Sequence, residues 1–136
     1  MRILGIDFGD SRTGFALSDP LGFGAKTLPA CKEKGMEKKA DYAAALAREN
    51  GVELIVLGFP KNMNGSVGPR GEKTKVFAAM LEERLDIPVR LWDERLTTVS
   101  AHLLMNETNV RGKKRKESVD SISAAYILQS YLDSLK

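Results

Sequence analysis

Apolar residues arrive in short bursts separated by polar and glycine-rich stretches, and their period changes along the chain. Residues 2–8 carry Ile3-Leu4-Gly5-Ile6-Asp7-Phe8, too short for a helix and bounded by Gly9-Asp10-Ser11, which predicts a strand and a tight turn. A second strand over 12–18 ends at Asp19-Pro20, and a three-residue connection forces the two to pair antiparallel. A third strand over 23–29 extends the meander after Leu21-Gly22. From 36 to 50 the period becomes helical: Met36, Tyr42, Ala43, Leu46 and Ala47 share a face, and Asn50-Gly51 closes the helix. Glu53 to Gly58 reads as a short buried strand, Phe59 to Gly71 as a loop rich in Gly, Pro and Asn. Val76, Phe77, Met80 and Leu81 mark a second helix, and 88–92 a fifth strand. The remainder predicts a helix over about 98–106, a basic segment from Asn109 to Glu117 and a final helix to the C-terminus.

Three antiparallel strands followed by two joined through helical crossovers describe an α/β domain over 1–136: a mixed five-stranded sheet flanked by helices. Composition agrees, since 43% apolar and 29% charged residues are globular proportions, and no second core or repeat is visible. No apolar run approaches a membrane span and no leader pattern opens the chain, so the expectation is a soluble, cytoplasmic protein. One cysteine, Cys31, excludes an internal disulfide, and one histidine, His102, excludes His-pair zinc motifs. Cys31 reads as incidental and His102 as a helical surface residue. Any metal held here is ligated by oxygen.

Three acids occupy unusual positions. Asp7 lies inside the first apolar run, Glu94 just beyond the fifth strand, and Asp120 on the apolar side of the last helix, in register with Ala124, Ile127 and Tyr131. A lone buried carboxylate costs several kcal/mol, roughly, unless a cation, a proton or a dense hydrogen-bond net compensates it. Each acid also has an ordinary explanation: Asp7 can cap a turn, Asp93 or Glu94 can favour the helix beginning near Thr97 and Thr98, and Asp120 can sit in a helical first turn. Ligands on such sheets gather where strand order switches, at the carboxyl ends of the strands, and there Asp7 and Glu94 would face each other. Small residues Ser121, Ser123, Ala124 and Ala125 let the last helix approach closely. Three converging carboxylates make a hard-oxygen site for Mg²⁺ or Mn²⁺, the apparatus of phosphoryl transfer.

Four spaced motifs also resemble one family. Gly5-Ile6-Asp7-Phe8-Gly9 with Arg12, Gly14, Ala16 and Ser18-Asp19; Gly58-Phe59-Pro60 with Met63, Gly65 and Gly68; Asp93-Glu94-Arg95-Leu96-Thr97-Thr98; and Asp120 with Ala124 to Gln129 occur in the order of the YqgF family. The resemblance covers nearly the whole chain. It implies the RNase H-like fold, a metal site on Asp7, Glu94 and Asp120, and a nuclease that matures the 5′ end of pre-16S ribosomal RNA or resolves Holliday junctions in DNA. The wider resolvase superfamily often places its second carboxylate at the end of the fourth strand. Here that strand ends in Gly58-Phe59-Pro60, so Glu94, or else Asp93, takes the role.

Net charge is only +3, but the basic residues crowd into loops. Arg111, Lys113, Lys114, Arg115 and Lys116 directly precede the helix that carries Asp120, and a charge run there, otherwise a solvated loop, suits a mobile clamp on phosphates. Lys61, Asn62, Asn64 and Arg70 in the glycine-rich loop would grip the backbone from the other side, with Arg12, Arg95, Thr97 and Thr98 as further contacts. Few aromatics accompany these charges, so base stacking is not expected. The partner is nucleic acid, structured RNA or branched DNA. With no long exposed apolar helix in view, a monomer or weak homodimer is expected, which favours RNA processing over the symmetric cutting of a junction. Two other classes fit parts of the pattern: a non-catalytic module docking on RNA or the transcription machinery, and an ATPase, since Gly5 to Gly9 also resembles the phosphate-binding turn of sugar kinases and actin-like ATPases.

Overall fold

The structure is a computed structural model that describes residues 1–21, 24–96 and 121–135. Its elements are β1 (Ile3–Asp7), β2 (Thr13–Ser18), β3 (Ala25–Cys31), α1 (Met36–Glu49), β4 (Leu54–Phe59), α2 (Pro69–Arg84), β5 (Val89–Asp93), a 3₁₀ turn (Glu94–Leu96) and α3 (Ile122–Ser134). The expected helix near 98–106 and the basic segment Asn109–Glu117 lie outside the described residues. The five strands form one sheet in the order β3-β2-β1-β4-β5. β1, β2 and β3 pair antiparallel, while β4 runs parallel to β1 and β5 parallel to β4, as the connection lengths require.

Two boundaries differ from the sequence expectation. β3 begins at Ala25 rather than 23 because Asp19 ties off the preceding turn: its carboxylate accepts from the Leu21 and Gly24 amides at 2.9 and 3.1 Å, and its own N–H donates to the Gly24 carbonyl. α2 starts inside the expected loop, with Pro69 in its first turn, where the ring fixes a helical φ at no cost in hydrogen bonds.

Alternation along β1 divides the core between the two faces of the sheet. Leu4, Ile6 and Phe8 join Phe15, Ile55, Leu57, Phe77 and Leu81 beneath α1 and α2. Ile3 joins Ala16, Ala25, Val56, Ala124 and Leu128 beneath α3. Gly5 lies on this second face, and a Cβ there would come 2.7 Å from Leu128 Cβ and 3.0 Å from the Ala124 carbonyl. The small residues of α3 therefore do bring that helix directly onto β1. Because Asp7 is two residues beyond Gly5, alternation puts its side chain on the same α3 face.

The start of α3 is fixed by a defect in the sheet. The β2–β3 register shifts by one residue between Thr13 and Phe15, where Pro29 and Ala30 of β3 together face Gly14 of β2. The Phe15 N–H donates instead to Ser121 Oγ at 3.1 Å, and Ser121 is fully buried. At the other edge Trp92 of β5 donates from its indole to Ser130 Oγ at 3.1 Å and meets Tyr131 edge-on, with ring centroids 5.3 Å apart.

Candidate active site

Asp7 ends β1, and Glu94 opens the turn that follows β5. Between those strands lies β4, whose Gly58 pairs with Trp92. Two strand spacings separate β1 from β5, roughly 10 Å, too far for adjacent carboxyl groups unless a side chain crosses the middle strand. Glu94 crosses it. A Cβ on Gly58 would lie 3.1 Å from Glu94 Oε1 and 3.3 Å from Glu94 Cγ, so the space left by the glycine is filled by the glutamate. The Asp7 and Glu94 carboxyl groups share a hydrogen bond.

Burial pushes the Asp7 carboxyl above its ordinary range, and the Arg70 guanidinium and the bond from Glu94 oppose that rise. Glu94 is pushed up by burial and by the negative charge of Asp7, with Arg70 again opposing. Both shifts disfavour the charged forms of two partly buried acids, a penalty that a divalent cation would remove. The donor set is carboxylate oxygen alone, which fits Mg²⁺ or Mn²⁺ and not a soft metal. Among the described residues no group of three His, Cys, Asp or Glu side chains comes together. Asp120, expected as the third acid, lies outside the described residues. Beside Glu94 a cavity of about 200 Å³ is lined by Ser123, Tyr126 and Ile127. No feature of the residue pattern marks Ser123 or Tyr126 as chemical, and only the docking of α3 places them there.

Asp93 is committed elsewhere. Its carboxylate accepts from the Arg95 amide at 2.9 Å and from the guanidinium at 2.8 and 3.1 Å, and this pairing holds the Asp93 carboxyl below the usual range. Arg95 also donates to the Met63 carbonyl at 3.4 Å, linking the end of β5 to the loop between β4 and α2. That loop is internally bonded: Asn64 Oδ1 accepts from the Ser66 amide and hydroxyl at 3.0 and 2.7 Å, and Asn62 Nδ2 donates to Ser66 Oγ at 2.9 Å. Gly65 takes φ +86° at its turn, a conformation side chains disfavour. Asn64 is therefore engaged in shaping the loop.

The other expected nucleic-acid contacts divide by position. Arg70, in the first turn of α2, reaches the Phe8 carbonyl at 3.4 Å. Lys61 lies 5.9 Å from the Phe59 ring centroid, and Arg12 is exposed in the turn after Asp7. Thr97, Thr98, Lys113, Lys114, Arg115 and Lys116 lie outside the described residues.

Lys39 is a residue the sequence reading missed. It is only 2% exposed, and its ammonium donates to the Gly9 and Asp10 carbonyls at 2.7 and 2.9 Å while lying 4.7 Å from the Phe8 ring centroid. Burial lowers its pKa. It locks the turn that follows Asp7 from the opposite face of the sheet.

Comparisons with known proteins identify the family and the fold. A family model described as "RuvX: Holliday junction resolvase" matches residues 1–134. A Clostridium novyi protein named "Putative pre-16S rRNA nuclease" is 49% identical over 135 residues, covering 99% of this chain and 100% of its own. An Acetivibrio thermocellus protein of the same name is 51% identical over 136 residues, covering 98% and 96%. Among solved structures, T. thermophilus RuvC in complex with a Holliday junction substrate superposes with a TM-score of 0.61 at 13% identity, over 100% of this chain and 97% of that one. The fowlpox virus Holliday junction resolvase gives 0.59 at 19% identity, covering both chains completely. At such identities the likeness is one of fold, the RNase H-like arrangement that the family resemblance implied. No helix among the described residues is long and apolar enough to cross a membrane.

Proposed function

The chain belongs to the RuvX Holliday junction resolvase family, and from that membership we propose that it is a metal-dependent nuclease hydrolysing nucleic-acid phosphodiesters, acting in 5′-end maturation of pre-16S ribosomal RNA. The observation that carries the reading is the hydrogen-bonded Asp7–Glu94 pair at the strand-order switch of the sheet. The RNA assignment follows the names of the relatives that are about half identical in sequence.

Asp7 and Glu94 hold Mg²⁺ or Mn²⁺, with Asp120 as the third ligand. Asp120 immediately precedes Ser121, whose hydroxyl bonds to the Phe15 amide, and Phe15 adjoins Gly14, the partner of Asp7 across β1 and β2. That anchoring supports Asp120 as a member of the site. The chemistry such an ion supplies is an activated water and neutralisation of charge on the leaving oxygen. The protein's own contributions are placement and charge. Gly58 gives Glu94 its path, and Lys39 fixes the turn after Asp7. Asp93 holds the Arg95 guanidinium beside Glu94 in sequence, and Arg95, Lys61, Asn64, Arg70 and Arg12 are assigned to the phosphate backbone, as are Thr97, Thr98, Lys113, Lys114, Arg115 and Lys116 on their charge and chemistry.

The test is a cleavage screen with 5′-extended 16S precursor RNA and a synthetic four-way DNA junction, in Mg²⁺ and in Mn²⁺, comparing wild type with Asp7→Asn. Cleavage of the RNA that Asp7→Asn abolishes supports the proposal. The family description favours a second reading, junction resolution, which requires symmetric paired cuts in the DNA and a two-fold dimer. Metal-independent RNA binding with no cleavage of either substrate overturns both in favour of a binding module.

A further inference from the structure

The chain has three tyrosines, and packing accounts for two of them. Tyr42 lies against Phe15 with ring centroids 5.4 Å apart, and Tyr131 meets Trp92 at 5.3 Å. Tyr126 is half-buried on α3, and among the described residues its ring meets no other ring or cation and its hydroxyl no hydrogen-bond partner. It stands beside the acids instead. The cavity of about 200 Å³ next to Glu94 has Ser123, Tyr126 and Ile127 on its wall, the first two three residues apart and so on one side of the helix. Ile127 is 2% exposed, and a Cβ on Gly58 would lie 2.5 Å from its Cδ1 and 3.1 Å from Glu94 Oε1, so the isoleucine and the glutamate meet over the same glycine. One side of the cavity is thus a carboxylate, the other a ring, an aliphatic tip and a hydroxyl. At about 30 Å³ per water the space equals roughly six or seven waters. That is room for one ring system, and it falls below the roughly 300 Å³ at which pockets for drug-sized ligands begin.

We propose that this cavity holds the base of the nucleotide adjoining the scissile phosphate, packed against the Tyr126 ring, and that the chain therefore cuts beside an unpaired nucleotide. With the scissile phosphate at the acids, one sugar joins that phosphate to its base, so the base is the part of the substrate that reaches a cavity bordering Glu94. The walls suit it. Every base presents a π-face to an aromatic side chain, and enclosure between Tyr126 and Ile127 removes ring surface from water. A base in this position has left the stack of a duplex, which is why the nucleotide must be unpaired. Ser123 supplies a single hydroxyl that both donates and accepts, so the cavity admits any of the four bases. Few aromatics accompany the cations of the sequence, but one ring is enough where the fold sets it beside the acids. The inference rests on the nuclease reading above and adds the form of the substrate at the cut.

The test uses the full chain and a 5′-extended 16S precursor RNA on which the wild-type cut has been mapped. Removing the base from a nucleotide next to the cut should lower wild-type kcat/KM about tenfold on one side of the cut, the scale of one lost base–aromatic stack, and removing a base several nucleotides away should not. Tyr126→Ala should lose about as much on the intact RNA and nothing further on the abasic one, because both changes delete the same contact. Tyr126→Phe, which keeps the ring, should regain the sensitivity to the missing base. Damage to the fold by Tyr126→Ala would leave the abasic effect in place, so the two losses would multiply, and multiplied losses with both Tyr126→Ala and Tyr126→Leu overturn the pairing of base with ring. Wild-type indifference to a missing base on both sides of the cut, or equal cleavage when the flanking nucleotides are paired to a complementary strand, overturns the cavity's role and leaves the nuclease standing. Failure of wild type to cut any RNA overturns the nuclease reading itself and this inference with it.

Discussion

Glu94 lies across Gly58. Its Oε1 occupies a position 3.1 Å from where a Cβ of residue 58 would be, and through that gap it meets Asp7. An acid at the end of β4 would stand directly beside β1. In its place the chain combines an absent side chain on β4 with a longer acid from the turn after β5, and the carboxyl group arrives at the same edge of the sheet.

Gly58→Ala should therefore disable the site while the protein still folds. The added methyl meets Ile127 Cδ1 at 2.5 Å, a flexible tip that can rotate away, but it also displaces Glu94. We expect a stability loss of about 1–2 kcal/mol, typical of overpacking, and a fall in cleavage rate on the order of 100-fold, the cost of misplacing a reacting group by about 1 Å. Urea unfolding and single-turnover cleavage measure the two effects. Wild-type turnover in Gly58→Ala would mean that the position of Glu94 over Gly58 has no bearing on function.

The raised Asp7 and Glu94 carboxyls make metal-free stability depend on pH. Their ordinary values are 3.8 and 4.5, and both are higher in the folded chain. Between the ordinary and raised values the folded state holds protons that the unfolded chain has released, so stability falls as pH rises through that window and stays low above it. Asp7→Asn removes one of the two charges. In chelator at neutral pH its Tm should exceed that of wild type by about 3 °C, a difference that vanishes near pH 4. Adding Mg²⁺ should raise the wild-type Tm and leave Asp7→Asn unmoved. A Tm for Asp7→Asn below wild type in chelator would show that the pair is not starved of positive charge.

The sheet was legible because strand ends carry strong local signals: a three-residue connection at Gly9-Asp10-Ser11 forces an antiparallel pair, and a helix between β4 and β5 permits a parallel one. Convergence of Asp7 and Glu94 followed from placing both at carboxyl ends beside the order switch. What escaped depended on contacts across the fold. Asp19 moves the start of β3 by bonding three backbone groups in its own turn. Gly58 reads as a weak strand residue until the neighbouring glutamate is seen lying over it. Lys39 reads as a solvated position between Lys38 and Asp41, and only the packing of α1 against the β1–β2 turn buries it. The choice between Asp93 and Glu94 required seeing Arg95 fold back onto Asp93.

Lys39→Met tests the support beneath Asp7. The substitution keeps much of the apolar stem and removes the donor to two carbonyls, at Gly9 and Asp10. Unpaired buried acceptors cost about 1–3 kcal/mol, partly offset because a buried charge is removed as well, so we expect a net loss near the lower end of that range. Cleavage should fall further than stability accounts for, since the freed turn begins two residues after Asp7. Urea unfolding and kcat at saturating Mg²⁺ separate the effects, and a variant with wild-type values in both would remove Lys39 from the account of the site.

The segment from Asn109 to Glu117 is expected to hold phosphates and not to read bases, an expectation that rests on its charge. Arg111, Lys113, Lys114, Arg115 and Lys116 offer five cations and no aromatic ring, a composition suited to backbone contacts that every sequence shares. Replacing Lys113, Lys114, Arg115 and Lys116 together by Ala should weaken binding to unrelated RNAs by a similar factor. It should also make the slope of log affinity against log salt shallower by about three, because each lost phosphate contact releases roughly one counterion fewer. Fluorescence anisotropy over a salt series, with Ca²⁺ in place of Mg²⁺, gives both quantities. If the quadruple variant instead loses its preference for one sequence while the salt slope holds, the segment reads bases, and the cations that grip the backbone must be sought among Lys61, Arg12 and Arg70.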